Sequence, residues 1–586
     1  MSAFISDILG HRSELRRLLE DERTHLPLLL LFALLLFCAG LGLRDPWPAD
    51  EPRFALIARD MVLRGDWLIP HVGGVPYSDK PPLFMWIVAC FYWLSGHLRI
   101  AFLLPSMLAG LGMLVLVYDL ARRLWNPQVA FHAGLLLLLT IQFTLQARTA
   151  QLDGLLSFWV TLAIYGLLRH ILLGPHWAWY YIAWFAMGLG IITKGVGFLP
   201  VLLLFPWIVL RLKWPHHLAS REGQPWRLAL GPVAMLFAIG LWLIPLLVYV
   251  SLENSAGLAA YRDDILFRQT AERYLDSWDH IEPFWYYVVE VIPWAWLPVS
   301  LALPWLITRW WRRMAEGDAV TWLLVGWVVC VIVFFSFSPG KRGVYLLPAV
   351  PALVLAAAPY LSELSRHRGV HLLSLLLVAA VATTAVAALV LAYLIFPERA
   401  LELTVKYGFS PWALVSAIAL LSLGVAAIGW RGNGVLALAL LIVGLWQLQG
   451  WWAYPLLNPS RSASELMPLT LEHVPANAEL GLVGWKEQFL LQVNRPVSHF
   501  GFRRDRQEEL QDAVAWLGRG ENRRLMIAER HMLPCLDPSA ATSVAFRHRR
   551  EWMVAGPDAI TGQCKVGDQP TRLWNLGTTD VGNNGP

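Results

Sequence analysis

Charge near a bilayer is costly, so ionisable groups at the ends of apolar runs are the first place to look for chemistry. Asp50 and Glu51 follow the first apolar run and are flanked by Pro48 and Pro52. A carboxylate held at that fixed height fits a general base, and Asp50 equally fits the cap of a helix starting near Arg53. Asp153 ends the stretch Arg148 to Asp153 and places a second carboxylate at the end of a span, again with a helix cap as the competing role. Glu51 stands beside Asp50 as a substrate-binding candidate.

Cations accompany these acids. Lys80 precedes Pro81 and Pro82, where its ammonium fits either a lipid phosphate at headgroup depth or simple snorkelling. The loop 252–288 adds Arg262, Arg268, Arg273, Tyr274 and His280, then Phe284, Trp285, Tyr286 and Tyr287. Lys341, Arg342 and Tyr345 open a later span. A solvated surface explains each group singly, but it explains less well why carboxylates and phosphate-capable cations gather on one face.

The elements that must position them follow from composition. With 57% hydrophobic and 15% charged residues, the 586-residue chain is a polytopic membrane protein. Its 31 Trp suit interfacial belts, and no Lys/Arg-rich run points to nucleic acid. Apolar runs near 27–43, 99–120, 128–147, 154–172, 178–193, 196–212, 228–251, 289–308, 320–337, 343–361, 371–396, 411–429 and 434–453 predict about 13 transmembrane helices. The first run lacks a small-residue cleavage pattern and reads as an uncleaved anchor after a cytoplasmic segment 1–26.

The run 82–96 is short and starts with two prolines, and the positive-inside rule decides its placement. If it does not cross, Arg122/Arg123, Lys213/Arg221, Arg309/Arg312/Arg313, Arg366/Arg368 and Arg431 all lie with Arg12, Arg16 and Arg17 on the cytoplasmic side. It is therefore predicted as a juxtamembrane or re-entrant helix packed on protein. The loops 44–98 and 252–288 and everything after 455 then face outward.

From about Asn458 the composition becomes that of a soluble domain. Short strands near 480–484, 496–501, 524–528 and 543–548 alternate with helical stretches near 462–472, 486–493 and 506–518, predicting a small α/β domain over 456–586. The helical part, 27–455, is predicted as the catalytic domain. Cys38, Cys90 and Cys330 read as apolar core residues. Cys535 and Cys564, 29 positions apart, are either a disulfide or two free thiols by spacing alone.

The order of these motifs resembles a family. Asp50-Glu51, Gly65 to Leu83, Arg148 to Asp153, Thr193 to Gly195 and Lys341 to Pro348 are similar to stretches of the GT-C class, lipid-carrier-dependent glycosyltransferases. The nearest subgroup is the bacterial aminoarabinose transferases that modify lipid A, with the protein O-mannosyltransferases as relatives. The resemblance covers roughly 27–360 and the rest in outline.

It implies an enzyme of the inner membrane that moves an aminoarabinose-like sugar from undecaprenyl phosphate to lipid A or another envelope acceptor on the periplasmic face. By position, Asp50 would be the base, Asp153 a second acid beside the same cavity, and Lys80, Arg273 and Tyr345 the holders of the carrier phosphate. Lys341, Arg342 and Glu51 complete the substrate-binding set. Asp79 stands where the family commonly has Glu, and Thr270 where it often has His, so a divalent metal at Asp79 is left open.

The leaving group is a phosphate already stable as an anion, which asks for positive charge more than for a general acid. Attack from the opposite side inverts the anomeric centre. Two alternatives share the membrane setting: transfer to a protein hydroxyl, or transport of lipid-linked sugars. Transport is disfavoured by the lack of internal repeats and of mid-depth charge pairs.

Overall fold

Residues 21–214, 225–267, 280–431, 433–564 and 572–574 are described by the computed structural model. The apolar runs fold as helices throughout. Among the described residues, eight helices are long and apolar enough to cross a membrane: Leu98–Leu124, Leu152–Leu172, Trp226–Glu253, Ala319–Phe337, Gly343–Leu364, Arg368–Ile395, Trp412–Trp430 and Gly434–Ser462. Two bent pairs bring the number to ten if each is one span. The remaining members of the expected thirteen are the helices His25–Phe37 and Leu204–Lys213, which are short, and Trp177–Lys194, whose many Trp and Tyr lower its hydropathy.

The bent pairs explain how broken backbone survives at membrane depth. Pro127–Leu139 meets Ile141–Ala147 at 70°, and Tyr287–Ala295 meets Val299–Ala315 at 114°. Thr140 takes an extended conformation at the first break. The Ile141 N–H, which has lost its helical acceptor, donates to the Leu297 carbonyl at the second break (3.0 Å). Each interruption thus satisfies a polar group of the other inside protein, where apolar surroundings would otherwise penalise it.

Helix α1, Glu51–Arg64, follows the first span and ends at Gly65, whose φ of 76° supplies the left-handed cap. The strands β1, His71–Val72, and β2, Val75–Pro76, form a small antiparallel hairpin. Helix α2, Leu83–Ser95, has 13 residues. At 1.5 Å per residue that is about 20 Å, short of the ~30 Å hydrocarbon core. It packs instead against α1, with Phe54 and Phe84 edge to face at 5.4 Å.

Helices α3, Leu152–Leu172, and α4, Trp177–Lys194, are antiparallel neighbours. The segment joining the first helix to α1 is seated on the last one by a close approach: a Cβ on Gly40 would lie 2.4 Å from the Gly450 carbonyl oxygen. The final helix continues unbroken to Ser462, so the change of composition near Asn458 falls just inside it.

Beyond it lies a six-stranded sheet with β3, Glu479–Leu482, at its centre. The other strands are β4, Val497–His499, β5, Arg523–Ala528, β6, Thr542–Arg547, β7, Arg550–Ala555, and β8, Arg572–Trp574, in the order β6-β7-β5-β3-β4-β8. Strands β4 and β5 flank β3 in parallel, and the connections run through helices α5, Glu487–Gln492, and α6, Arg506–Leu517. The four expected strands and three expected helical stretches are present, while β7 and β8 are additional. Strand β7 escaped notice because its hairpin turns at His548 and Arg549, at φ of 54° and 63°, where a Gly or Asn would have marked the turn. Cys535 and Cys564 are joined by a disulfide, with Cα atoms 4.9 Å apart.

The sheet domain shares a core with α1, α2 and the hairpin. One apolar cluster runs from Phe54, Met61 and Phe84 to Leu480, Phe489 and Trp552. Polar contacts reinforce it. Arg59 donates to the carbonyls of Leu490 (2.8 Å) and Leu491 (3.3 Å) at the end of α5, and the His499 ring bonds the Gly73 carbonyl (2.7 Å).

Glu509, buried on α6, accepts the Gly484 N–H at 2.8 Å. Burial raises its pKa from 4.5 to about 7, against the lowering effects of that N–H and of Arg504 and Arg506. The folded chain therefore holds a proton that the unfolded chain has already released, and stability falls as pH rises from about 4.5 through 7. In thermal unfolding at pH 5 and pH 7.5, Glu509→Gln is expected to lose that part of the pH dependence, worth at most about 3 kcal/mol.

Candidate active site

Asp50 occupies the position before α1 but makes no capping hydrogen bond through its side chain. Its carboxylate turns instead to two guanidinium groups, Arg342 at 3.3 Å and Arg53 at 3.6 Å, and stays 21% exposed. Of the two roles open to it in the sequence, capping is the one that the geometry removes. Arg53 also bonds Glu487 on α5 (2.7 Å) and lies 5.9 Å from the centre of the Tyr77 ring.

Glu51, one residue on, is built differently. It is buried and accepts from both terminal nitrogens of Arg44, from the Trp47 N–H (2.9 Å) and from the Ala150 N–H (2.9 Å). Those four donors occupy the carboxylate, which leaves no free oxygen lone pair aimed at a ligand. The substrate-binding role expected for Glu51 gives way to that of a strut tying α1 to the Arg148–Ala150 turn. Arg44, 1% exposed, also bonds the Arg148 carbonyl (3.2 Å) and stacks on Tyr454 at 4.9 Å. Arg148, equally buried, donates to the carbonyls of Trp446 and Ala39, both at 2.9 Å.

Asp153 lies in the first turn of α3 and pairs with Lys194 in the last turn of α4. Each charge sits at the helix end whose dipole favours it. Both side chains are almost buried, at 9% and 12% exposure. The Lys194 ammonium also lies over the Tyr345 ring, 4.6 Å from its centre. Lys194 belongs to a turn that the sequence marks out, but nothing local assigns it a partner.

Arg342 connects the two acids. Burial works against its charge, but the carboxylates of Asp50 and Asp153, then Tyr345, outweigh this and raise it above the ordinary guanidinium value. Asp50, Asp153, Lys194, Arg342 and Tyr345 therefore meet at one end of the bundle, although they come from widely separated parts of the chain.

Lys341 turns away from this group. Its ammonium donates to the Glu282 carbonyl at 2.7 Å, strapping the turn to the 280–282 segment, where Ile281 bridges Gly340. Burial lowers its pKa, with Glu282 acting in the opposite sense. The strong contact that the structure gives Lys341 is thus a backbone tether.

Asp79 pairs with Arg503 of the sheet domain at 2.7 Å, and Lys80 beside it is half-buried in the turn leading to α2. Tyr77 links this turn to the acids: burial, then the Asp79 charge, pushes its phenol well above the usual range, against Arg53 and Arg503. Among the described residues no three His, Cys, Asp or Glu side chains are grouped to hold a metal. With a guanidinium beside Asp79, the described donors do not fit a divalent cation. Arg273 and Thr270 lie outside the described residues.

A helix bundle carries this acid-and-guanidinium cluster at one end, with a small α/β domain packed beside it, and the fold is of the GT-C type. Residues 24–254 match a family model described as dolichyl-phosphate-mannose-protein mannosyltransferase. The chain is 31% identical over 360 residues to undecaprenyl phosphate-alpha-4-amino-4-deoxy-L-arabinose arabinosyl transferase 2 of Pseudomonas fluorescens (strain Pf0-1), covering 58% of this chain and 60% of that one. The corresponding transferase 2 of Sodalis glossinidius is 30% identical over 346 residues, 56% of this chain and 58% of the relative. The matches thus span under two thirds of these relatives' length.

In three dimensions the chain is similar to ArnT from Cupriavidus metallidurans. The apo crystal structure gives a TM-score of 0.69 at 22% identity, covering 92% of this chain and 98% of that one. The structure of ArnT bound to undecaprenyl phosphate gives the same score and covers 99% of that chain.

The Asp153–Lys194 pair is open to a direct test. Lys194→Met leaves a nearly buried carboxylate unpaired, and thermal unfolding in detergent is expected to show a loss of about 3–5 kcal/mol. The double variant Asp153→Asn/Lys194→Met should regain most of it, giving a large coupling in the mutant cycle.

Proposed function

We propose that this protein is an inverting glycosyltransferase that moves a sugar, aminoarabinose-like, from undecaprenyl phosphate to lipid A or another envelope acceptor. The convergence of Asp50, Asp153, Lys194, Arg342 and Tyr345 at one end of the bundle carries this reading. The likeness to aminoarabinose transferases supports the choice of donor and acceptor.

In this reading Asp50 takes the proton of the acceptor oxygen, held in position by Arg342 and Arg53. The deprotonated oxygen attacks the anomeric carbon. The bond from that carbon to the phosphate oxygen breaks on the opposite side, inverting the centre. The polyprenyl phosphate leaves with the bonding electrons, and Arg342, Lys194 and Lys80 supply the positive charge around it, with Arg273 assigned the same task. Asp153 keeps Lys194 charged and fixed beside Tyr345. The sheet domain, joined to α1 by Arg53, Arg59 and the shared apolar cluster, limits water at the site.

The enzyme is assigned to the inner membrane, with the site, the loops 44–98 and 252–288 and the domain 456–586 on the periplasmic side. The segment 27–455 is assigned as the catalytic domain. The basic residues between spans support this orientation.

Mass spectrometry of lipid A and envelope glycans from cells with and without the protein tests the reading, and an unchanged spectrum would refute it. Asp50→Asn is expected to fold normally and to lose at least about 100-fold in transfer rate, the scale of general base catalysis. Near-normal turnover would remove Asp50 from the mechanism. Lys80→Ala should raise the apparent KM for the lipid phosphate donor about tenfold with a smaller effect on kcat, as the loss of one charge-assisted contact implies.

A further inference from the structure

Three arginines of the sheet domain converge where the fold offers a ligand crevice. The chain leaves β4, passes β3 through α6 and enters β5, so the strand order reverses beside β3. In open α/β sheets the carboxyl ends of the strands at such a point form the usual binding crevice. Arg506 opens α6 there, and Arg530 and His531 follow directly from the end of β5. Arg550 opens β7, two residues before Trp552, which pairs with Ala528 at the end of β5.

The contacts show how close these groups are. Arg506 Nη1 lies 2.7 Å and Arg530 Nε 3.2 Å from the same nitrogen of His531, Nε2. Arginine only donates, so Nε2 must accept and the imidazole is neutral. Burial first, then Arg506, Arg530 and Arg550, hold the His531 pKa down at about 4. Arg550 is likewise held below its ordinary value, by burial and then by Arg530 and Arg506. Arg506 and Arg530 are exposed to solvent.

Glu529, next to Arg530 in the chain, is exposed, and the other nearby acids are engaged elsewhere. Asp505 caps α6, Glu508 pairs with Arg504, Glu551 accepts from Ser543, and Glu509 is buried against Gly484. Among the described residues none of the three arginines forms a salt bridge with a carboxylate. Like charges held this close repel unless an anion lies between them, and planar guanidinium forks match the oxygens of a phosphate.

The basic character extends toward the candidate active site. His548 is surrounded by Lys486, Arg550, Arg547 and Arg461, and Arg461 stacks on Trp47 at 5.4 Å. Trp47 in turn donates its N–H to Glu51.

We propose that Arg506, Arg530 and Arg550, set around His531 at the carboxyl edge of the sheet, form a binding site for a phosphate monoester. The proposal does not depend on the glycosyltransferase reading. The phosphate is either free or carried on a lipid headgroup, and the two sources are separable.

The test uses the purified full-length chain in neutral detergent. Binding of inorganic phosphate is measured by calorimetry, and binding to mixed micelles is measured with phosphatidic acid, a lipid phosphate monoester, against phosphatidylcholine. The wild type is expected to bind at least one phosphate probe, with affinity falling as salt rises, and to ignore phosphatidylcholine. Preference for inorganic phosphate identifies a free anion, and preference for phosphatidic acid identifies a headgroup.

Arg506→Gln/Arg530→Gln/Arg550→Gln should weaken binding at least tenfold, and the single variant Arg530→Gln should weaken it less. Lys80→Ala, which removes a contact proposed for the carrier phosphate, should bind inorganic phosphate as the wild type does, which separates this site from the proposed reaction. No phosphate binding by the wild type, or equal binding by the wild type and a folded triple variant, would overturn the proposal.

Discussion

Everything near Asp50 depends on a buried charge cluster in which Glu51 lies among Arg44, the Trp47 amide and the Ala150 amide. Charges removed from water are tolerated only when paired and hydrogen-bonded nearly to saturation, and breaking such a set is costly. Here the requirement is met by groups from four places in the chain. Arg148 holds the carbonyls of Ala39 and Trp446, and Tyr454 stacks against both arginines. The arrangement locks the turn before α1 to the turn before α3. Because Asp50 ends the first of these turns and Asp153 follows directly after the second, their separation is set by the clamp.

The division of labour between adjacent carboxylates follows from this. Glu51 faces inward and is consumed by structure, while Asp50 faces two guanidinium groups and remains partly open. A similar split separates Lys341, which tethers a loop by a backbone carbonyl, from Arg342, which senses both acids. In each pair one residue supplies rigidity and its neighbour joins the acid-and-guanidinium cluster.

Much of this was legible in the sequence because ionisable side chains at the ends of apolar runs have few places to go. Asp50, Asp153, Arg342 and Tyr345 were found on that ground, and the structure groups them. Lys194 was visible as part of a turn, but its pairing with Asp153 depends on α3 and α4 lying side by side. The structural roles of Glu51, Lys341, Arg44 and Arg148 were hidden for the same reason: composition does not tell a buried, saturated charge from one facing a ligand. The apolar runs announced the helices but not their breaks, since the bends at Thr140 and before Val299 are completed by each other's backbone. In the sheet domain, a turn made by His548 and Arg549 concealed β7.

Arg53 holds Asp50 with one part of its guanidinium and Glu487 of the sheet domain with another. The electrostatic surroundings of Asp50, the proposed base, are thereby shared with a residue more than four hundred positions away. Under the proposed reaction, a genetic screen scoring loss of activity would return Glu487 alongside the residues assigned to the substrate, through its hold on Arg53. In that reading sequence drift in the sheet domain is constrained through this one arginine, and chimeras that exchange that domain between relatives must carry a matching acid with it.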